Sequence, residues 1–136
     1  MIATFVLSPA AAKRLIARGI INEPVFRHAY ATGKVIICVG TTNSYIAHEL
    51  GLITAEEQRL FAAGIISKGL PCVTADNRLS HICLEKGHQV EVDWVEFLNG
   101  FGRDDVFMKG ANAFDAGGDA AVLMANPGGG TVGASF

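Results

Sequence analysis

Charged residues are scarce in this chain, at 18% of 136, while half of all residues are hydrophobic. So thin a polar cover on a small domain leaves surface to be hidden against a partner, and a homo-oligomer is the expected state. The 11 Lys and Arg residues form no stripe and the net charge is −2, which excludes nucleic acid as an expected partner. No apolar run nears the ~20 residues of a membrane helix, so no membrane partner is expected. The opening MIATFVLSPAAAKRL lacks the basic start and cleavage pattern of a signal peptide. Cysteine is limited to Cys38, Cys72 and Cys83, an odd number without Cys-x-x-Cys spacing. That argues against a disulfide framework and for a reducing, cytoplasmic setting, with all three thiols as small buried hydrophobes. His28, His48, His81 and His88 have no tight metal-ligand spacing, so no metal site is expected. Neither the P-loop nor the dinucleotide fingerprint is present, so no cofactor is expected either.

What is present is a rapid alternation of helix and strand signals along a single domain, residues 1–136. Ser8-Pro9 caps a helix expected to stop at Gly19, and Pro24 opens a second that ends at 31–33. Lys34–Val39, KVIICV, reads as a strand covered on both faces, because apolar residues run on without polar alternation. A helix follows over Tyr45–Leu50, and Thr54 with Glu57 forms a capping box for another. Strands are expected over Leu70–Thr74, Gln89–Val92, Asp105–Lys109 and Ala120–Met124. Between them, Asn77–Lys86 reads as an amphipathic helix closed by Gly87, and Asp93 caps a helix ending near Asn99-Gly100. Trp94, Phe97 and Leu98 follow helical spacing and form a core or subunit-contact face. Strands separated by helices predict an open, mostly parallel, Rossmann-like α/β sheet with helices on both faces. The last six residues after Gly130 sit inside a loop. The chain is therefore expected to continue past Phe136 or to borrow a C-terminal closing element from a partner subunit.

In such a sheet, ligands sit beyond the carboxyl ends of strands. Two loops have the chemistry for this. In the first, Gly40-Thr41-Thr42-Asn43-Ser44, a glycine leaves a strand and hydroxyl and amide side chains precede a helix. Unpaired N–H groups there suit a phosphate or carboxylate; the alternative is ordinary helix capping. The second spans 105–135, with Lys109-Gly110-Ala111-Asn112, then Asp115 and Asp119 flanking two glycines, then Gly128-Gly129-Gly130. Asp115 and Asp119 either supply a general base or bind sugar hydroxyls, or they shape an Asx-type turn. Lys109 either meets an anionic ligand as a point charge or is a solvated strand-end lysine. Asn112 either bonds a hydroxyl or carbonyl, or takes a left-handed turn conformation. His48 and Glu49, one turn into the following helix, either face the site or, as expected, form exposed helix surface.

These two loops, in this order, resemble those of ribose-5-phosphate isomerase A and the superfamily it shares with glucosamine-6-phosphate deaminase and the CoA transferases. The isomerase's Gly-Thr-Gly-Ser-Thr phosphate loop corresponds to Gly40–Ser44. Its Asp-Gly-Ala-Asp-Glu corresponds to Lys109–Ala113, and its Lys-Gly-Gly-Gly-Gly to Asn126–Gly130. Methylthioribose-phosphate isomerases show a related Gly-Ala-Asp and Gly-Asp, echoed at Gly110 and at Gly118-Asp119. The similarity spans roughly residues 25–135 and implies a sugar-phosphate-binding α/β domain.

The departures bear on catalysis. Where the family carries carboxylates on either side of Gly-Ala, this chain has Lys109 and Asn112, and Asn126 or Pro127 stands in place of the lysine. The usual base is gone and the local charge is reversed, so ribose-5-phosphate isomerase activity itself is not expected. The leading expectation is a binding domain for a small anionic metabolite, phosphorylated or carboxylated, with Gly40–Ser44 as the anion cradle and Gly110, Asn112 and Gly128–Gly130 around it. Its rivals are an isomerase- or transferase-like enzyme using Asp115 or Asp119 as base with Lys109 as stabiliser, and a non-catalytic structural or regulatory subunit.

Overall fold

The computed structural model of the chain describes residues 2–74, 77–124 and 126–135. Helix α1 (Pro9–Asn22) starts where Ser8 Oγ accepts the Ala11 N–H at 3.3 Å. It runs straight through Gly19, which has open space on its side-chain face and so imposes no stop. The helix ends instead at Glu23, held extended by the proline that follows, and Pro24 opens α2 (Pro24–Thr32).

Strand β1 (Lys34–Ile37) is one of the two inner strands of a four-stranded sheet ordered β5–β4–β1–β6. Its neighbours are β4 (Ile82–Glu85), which runs antiparallel, and β6 (Val106–Met108), which runs parallel. Strand β5 (His88–Val90) pairs antiparallel with β4 at the edge. The expected open, mostly parallel Rossmann-like sheet is therefore overturned: β1 and β6 are its one parallel pair among the described residues. Two further antiparallel hairpins stand apart from it, β2 (Gly64–Ser67) with β3 (Leu70–Val73), and β7 (Ala113–Phe114) with β8 (Ala120–Ala121).

The cause lies in two Lys-Gly turns. Lys68 and Gly69 have φ of 51° and 79°, and Lys86 and Gly87 have 49° and 78°. Two consecutive positive φ values make a two-residue hairpin turn whose twist matches that of the strands it joins. The segment expected as a helix over Asn77–Lys86 thus becomes β4, and Gly87 closes a turn rather than a helix. The Lys86-Gly87 turn then makes β5 antiparallel to β4, because so short a connection cannot bring a strand back in the same direction. The strand expected over Leu70–Thr74 leaves the main sheet in the same way. Its Cys72 is exposed, which corrects the expectation of three buried thiols, while Cys38 and Cys83 are buried.

The sheet is covered on both faces, as the unbroken apolar run of β1 requires. Val35, Ile37 and Val39 face α1, α2 and α3 (Asn43–Glu49), packing with Ala17, Phe26, Ala29, Ile46 and Ala47. Ile36, Cys38 and Cys83 face the other way, against Phe97 and Trp94 of α4 (Trp94–Asn99). Asp93 Oδ1 caps α4 by accepting from Val95 and Glu96 at 3.0 Å each. The capping box also forms, with the Thr54 N–H donating to Glu57 Oε2 at 2.8 Å, but it opens only one 3-10 turn, Glu57–Leu60. His48 and Glu49 are half-buried rather than exposed, and Glu49 pairs with Arg14 and Arg18 of α1. A last helical turn, α5 (Gly130–Gly133), follows the glycine run. Among the described residues, no helix is long and apolar enough to cross a membrane.

Candidate functional site

Register alone brings the two sequence-predicted loops together. Ile37 lies beside Met108 in the parallel pair, and Cys38 N–H donates to Met108 O at 3.0 Å. Gly40 and Gly110 therefore leave the same rim of the sheet. Because β4 is antiparallel and Ile82 lies opposite Ile37, His81 arrives at this rim too.

Asn43 fastens the rim. Its side chain, 4% exposed, donates from Nδ2 to Cys38 O at 2.8 Å and to Met108 O at 3.1 Å. One amide thus ties the ends of both parallel strands to the start of α3. This commits the Asn43 amide to the protein's own backbone. Buried Ser44 is committed similarly, donating to Thr41 O at 3.0 Å, and Gln58 Nε2 reaches Ser44 O at 3.2 Å.

Thr41 and Thr42 are half-buried and differently placed. Thr42 stands at the N-cap of α3, yet no side chain caps that helix. Thr41 Oγ1 instead accepts from Lys13 Nζ at 2.9 Å, across 28 residues of sequence. Among the described residues, no acceptor is bonded to the N–H of Thr41 or Thr42, and neither Lys13 nor Lys109 forms an ion pair. Lys109, half-buried, follows directly on Met108. At Gly110 an added Cβ would meet nothing, so neither packing nor backbone conformation explains the glycine, and the space before it is open.

The electrostatics of the rim are positive. Burial pushes the Cys38 thiol up to about 12, against the opposing pull of Lys109. Cys38 is therefore a protonated thiol, not a nucleophile. His81 is shifted down, first by burial, then by the charges of Lys109 and Arg78. Its Nδ1 accepts the Val39 N–H at 3.0 Å, which leaves the ring proton on Nε2, and the ring stands edge-on to Trp94. Sequence reasoning passed over His81 because its partner lies 42 residues away. The shift has a consequence for stability. Since the folded state holds His81 below its unfolded value near 6.5, the unfolded chain binds the extra proton first. The contribution is fully present above pH about 6.5 and is lost as pH falls toward the folded value. Melting temperatures taken from pH 8 to 5 should fall along that range, and His81→Phe should flatten the fall. A variant as steep as the wild type would contradict the assignment.

Beside the rim, a cleft of about 450 Å³ is lined by Leu79, Ser80, His81 and Ile82 on one side and by Gln89, Val90, Glu91 and Val92 of the sheet edge on another. Leu52, Ile53 and Glu57 complete the wall. That volume lies in the range of small-molecule sites.

The remaining predicted residues belong to the β7–β8 hairpin and to the glycine run before α5. Asp115 and Asp119 sit in the exposed turn of β7–β8, where Asp115 Oδ1 accepts from Gly117 N at 2.9 Å and Asp119 N at 3.0 Å. Asn112 opens the same hairpin, with its Oδ1 accepting from Leu123 N at 2.9 Å. Gly129 and Gly130 have φ of 80° and 55° and start α5, while Gly128 N–H donates to Asn126 Oδ1 at 2.8 Å. No hydrogen bond among the described residues joins 112–130 to the rim. The described residues also hold no cluster of three or more His, Cys, Asp or Glu fit for a metal.

Compared with known proteins, the chain matches no family model, no curated protein and no solved structure.

Proposed function

We propose that this domain binds a small phosphorylated or carboxylated metabolite, with its anionic group at the rim between Thr41, Thr42, Lys13 and Lys109. The observation that carries this reading is that Lys13 reaches half-buried Thr41 while the charge of Lys109 acts on Cys38 and His81 at the same end of the sheet. Lys13 reaches Thr41 from α1, and Lys109 leaves β6 next to Cys38. Cations and hydroxyl donors held at the end of a sheet suit an anion, through charge-assisted hydrogen bonds. The adjoining cleft, with Ser80, Gln89 and Glu91 among apolar side chains, accommodates a hydroxyl-bearing body. The likeness to the ribose-5-phosphate isomerase superfamily enters only through its phosphate loop, as support for the ligand class. The carboxylates of the β7–β8 turn are given no role, so the proposal is binding rather than turnover. The cytoplasmic setting belongs to the same proposal.

Calorimetric titration and thermal shift with inorganic phosphate, pentose and hexose phosphates and simple carboxylates test it. A ligand at 100 times its Kd adds about 2.7 kcal/mol to stability. Lys13→Met and Lys109→Met should each weaken binding by about tenfold to a hundredfold, the worth of one charge-assisted hydrogen bond. If no compound in the panel shifts the transition, the rim is structural and the reading fails.

A further inference from the structure

The chain exposes 9318 Å² of surface, against about 6,800 Å² for a compact monomer of its 14.3 kDa. The excess is about 2,500 Å² per chain, where a standard protein interface takes ~800 Å² from each partner and obligate homodimers take more. Part of it lies in Ile2–Leu7. Ile2 is 96% exposed, Val6 95% and Phe5 70%. These six residues carry no charge, and no hydrogen bond among the described residues reaches them. They lead directly into α1, whose outer face exposes Leu15 and Ile16, and the start of α2 exposes Val25. An uncharged stretch of β-branched and aromatic residues with its whole backbone unpaired has the composition and the open donors and acceptors of a strand awaiting a partner.

We propose that Ile2–Leu7, with the outer face of α1, is the surface through which two copies of this chain associate. A second copy fits better than a charged partner, because the arm offers no charge to attract one and the net charge of −2 opposes self-association only weakly. The whole chain leaves more area uncovered than a standard interface takes from each partner, so the arm and the α1 face need supply only part of it. The association is independent of the rim, since neither Lys13→Met nor Lys109→Met removes any of the exposed apolar residues.

Sedimentation equilibrium of the whole chain, from high to low micromolar concentration, gives the mass directly. The expected result is about twice 14.3 kDa for the wild type, falling to one chain for Phe5→Asp combined with Val6→Asp. Circular dichroism confirms that this variant keeps its fold, as a change outside the core should. A wild-type monomer throughout, a mass above two chains, or a folded double variant that still dimerises overturns the proposal. If the double variant does not fold, amide exchange of the wild type decides. Residues 2–7 should slow as concentration rises, and exchange at the free-amide rate at every concentration overturns it.

Discussion

Asn43→Asp should be the most damaging single change at the rim, lowering stability by about 3–5 kcal/mol at pH 7. The wild-type amide works because Nδ2 is a donor facing two carbonyl oxygens, those of Cys38 and Met108. A carboxylate has the same shape and only acceptors, so two oxygens would face two oxygens in a site that is 4% exposed. The variant escapes part of the penalty by staying protonated, since a carboxylic acid O–H still donates to one carbonyl. That sets the pH dependence. The folded carboxyl is held above the unfolded value of about 3.9, so the unfolded chain ionises first. The penalty is small below pH 4 and grows as pH rises. Urea unfolding at pH 4 and pH 7 should show the gap to wild type widening with pH. Asn43→Ala should cost about 1–3 kcal/mol with no such trend, because it strands only the Cys38 carbonyl; Met108 O keeps the Cys38 N–H. Equal losses for both variants at both pH values would show that the amide is not the fastener.

What the sequence revealed about this fold was what neighbouring residues settle between themselves. Ser8 and Asp93 cap the helices they were expected to cap, Pro24 starts α2, and β1 is buried on both faces, because each depends on a few adjacent positions. The errors sit where two structures compete for one pattern. Leu79, Ile82 and Cys83 recur at helical spacing, but Ile82, Cys83 and Leu84 are all buried because the strand is sandwiched between two layers. Gly87 follows a lysine, and lysine at positive φ is a weaker advertisement for a hairpin than Asn or Asp would be. The site shows the same division. The two loops were legible as loops, and their meeting follows from β1 and β6 being neighbours, a pairing of residues 71 apart, as Val35 with Val106, that no local pattern encodes. Asn43 was visible as a polar residue of the loop, but its use as an internal fastener depends on that pairing. His81 and Lys13 could not be placed at all, since their partners lie 42 and 28 residues away.

Asp105→Ala should cost about 3–5 kcal/mol, from two charge-assisted hydrogen bonds at about 1.5–3 kcal/mol each, less what water recovers at a half-buried site. Oδ1 accepts the Lys34 N–H at 2.6 Å and Oδ2 accepts the Gly102 N–H at 2.7 Å. The carboxylate therefore joins the first residue of β1 to the loop that feeds β6, at the opposite end of the parallel pair from Asn43. The approach is so close that a Cβ at Gly33 would lie 2.6 Å from Oδ1, which explains the glycine at the end of α2. Asp105→Asn separates charge from geometry. Asparagine keeps one acceptor and turns a donor toward the other N–H, so it should lose more than half of the effect rather than rescue it. Gly33→Ala should destabilise through the same contact, and combining it with Asp105→Ala should cost less than the sum, because the alanine's clash disappears with the carboxylate. Denaturant unfolding of the four variants closes the cycle. Additive losses would mean that Gly33 and Asp105 do not constrain each other, and that the parallel pair is held at this end by packing alone.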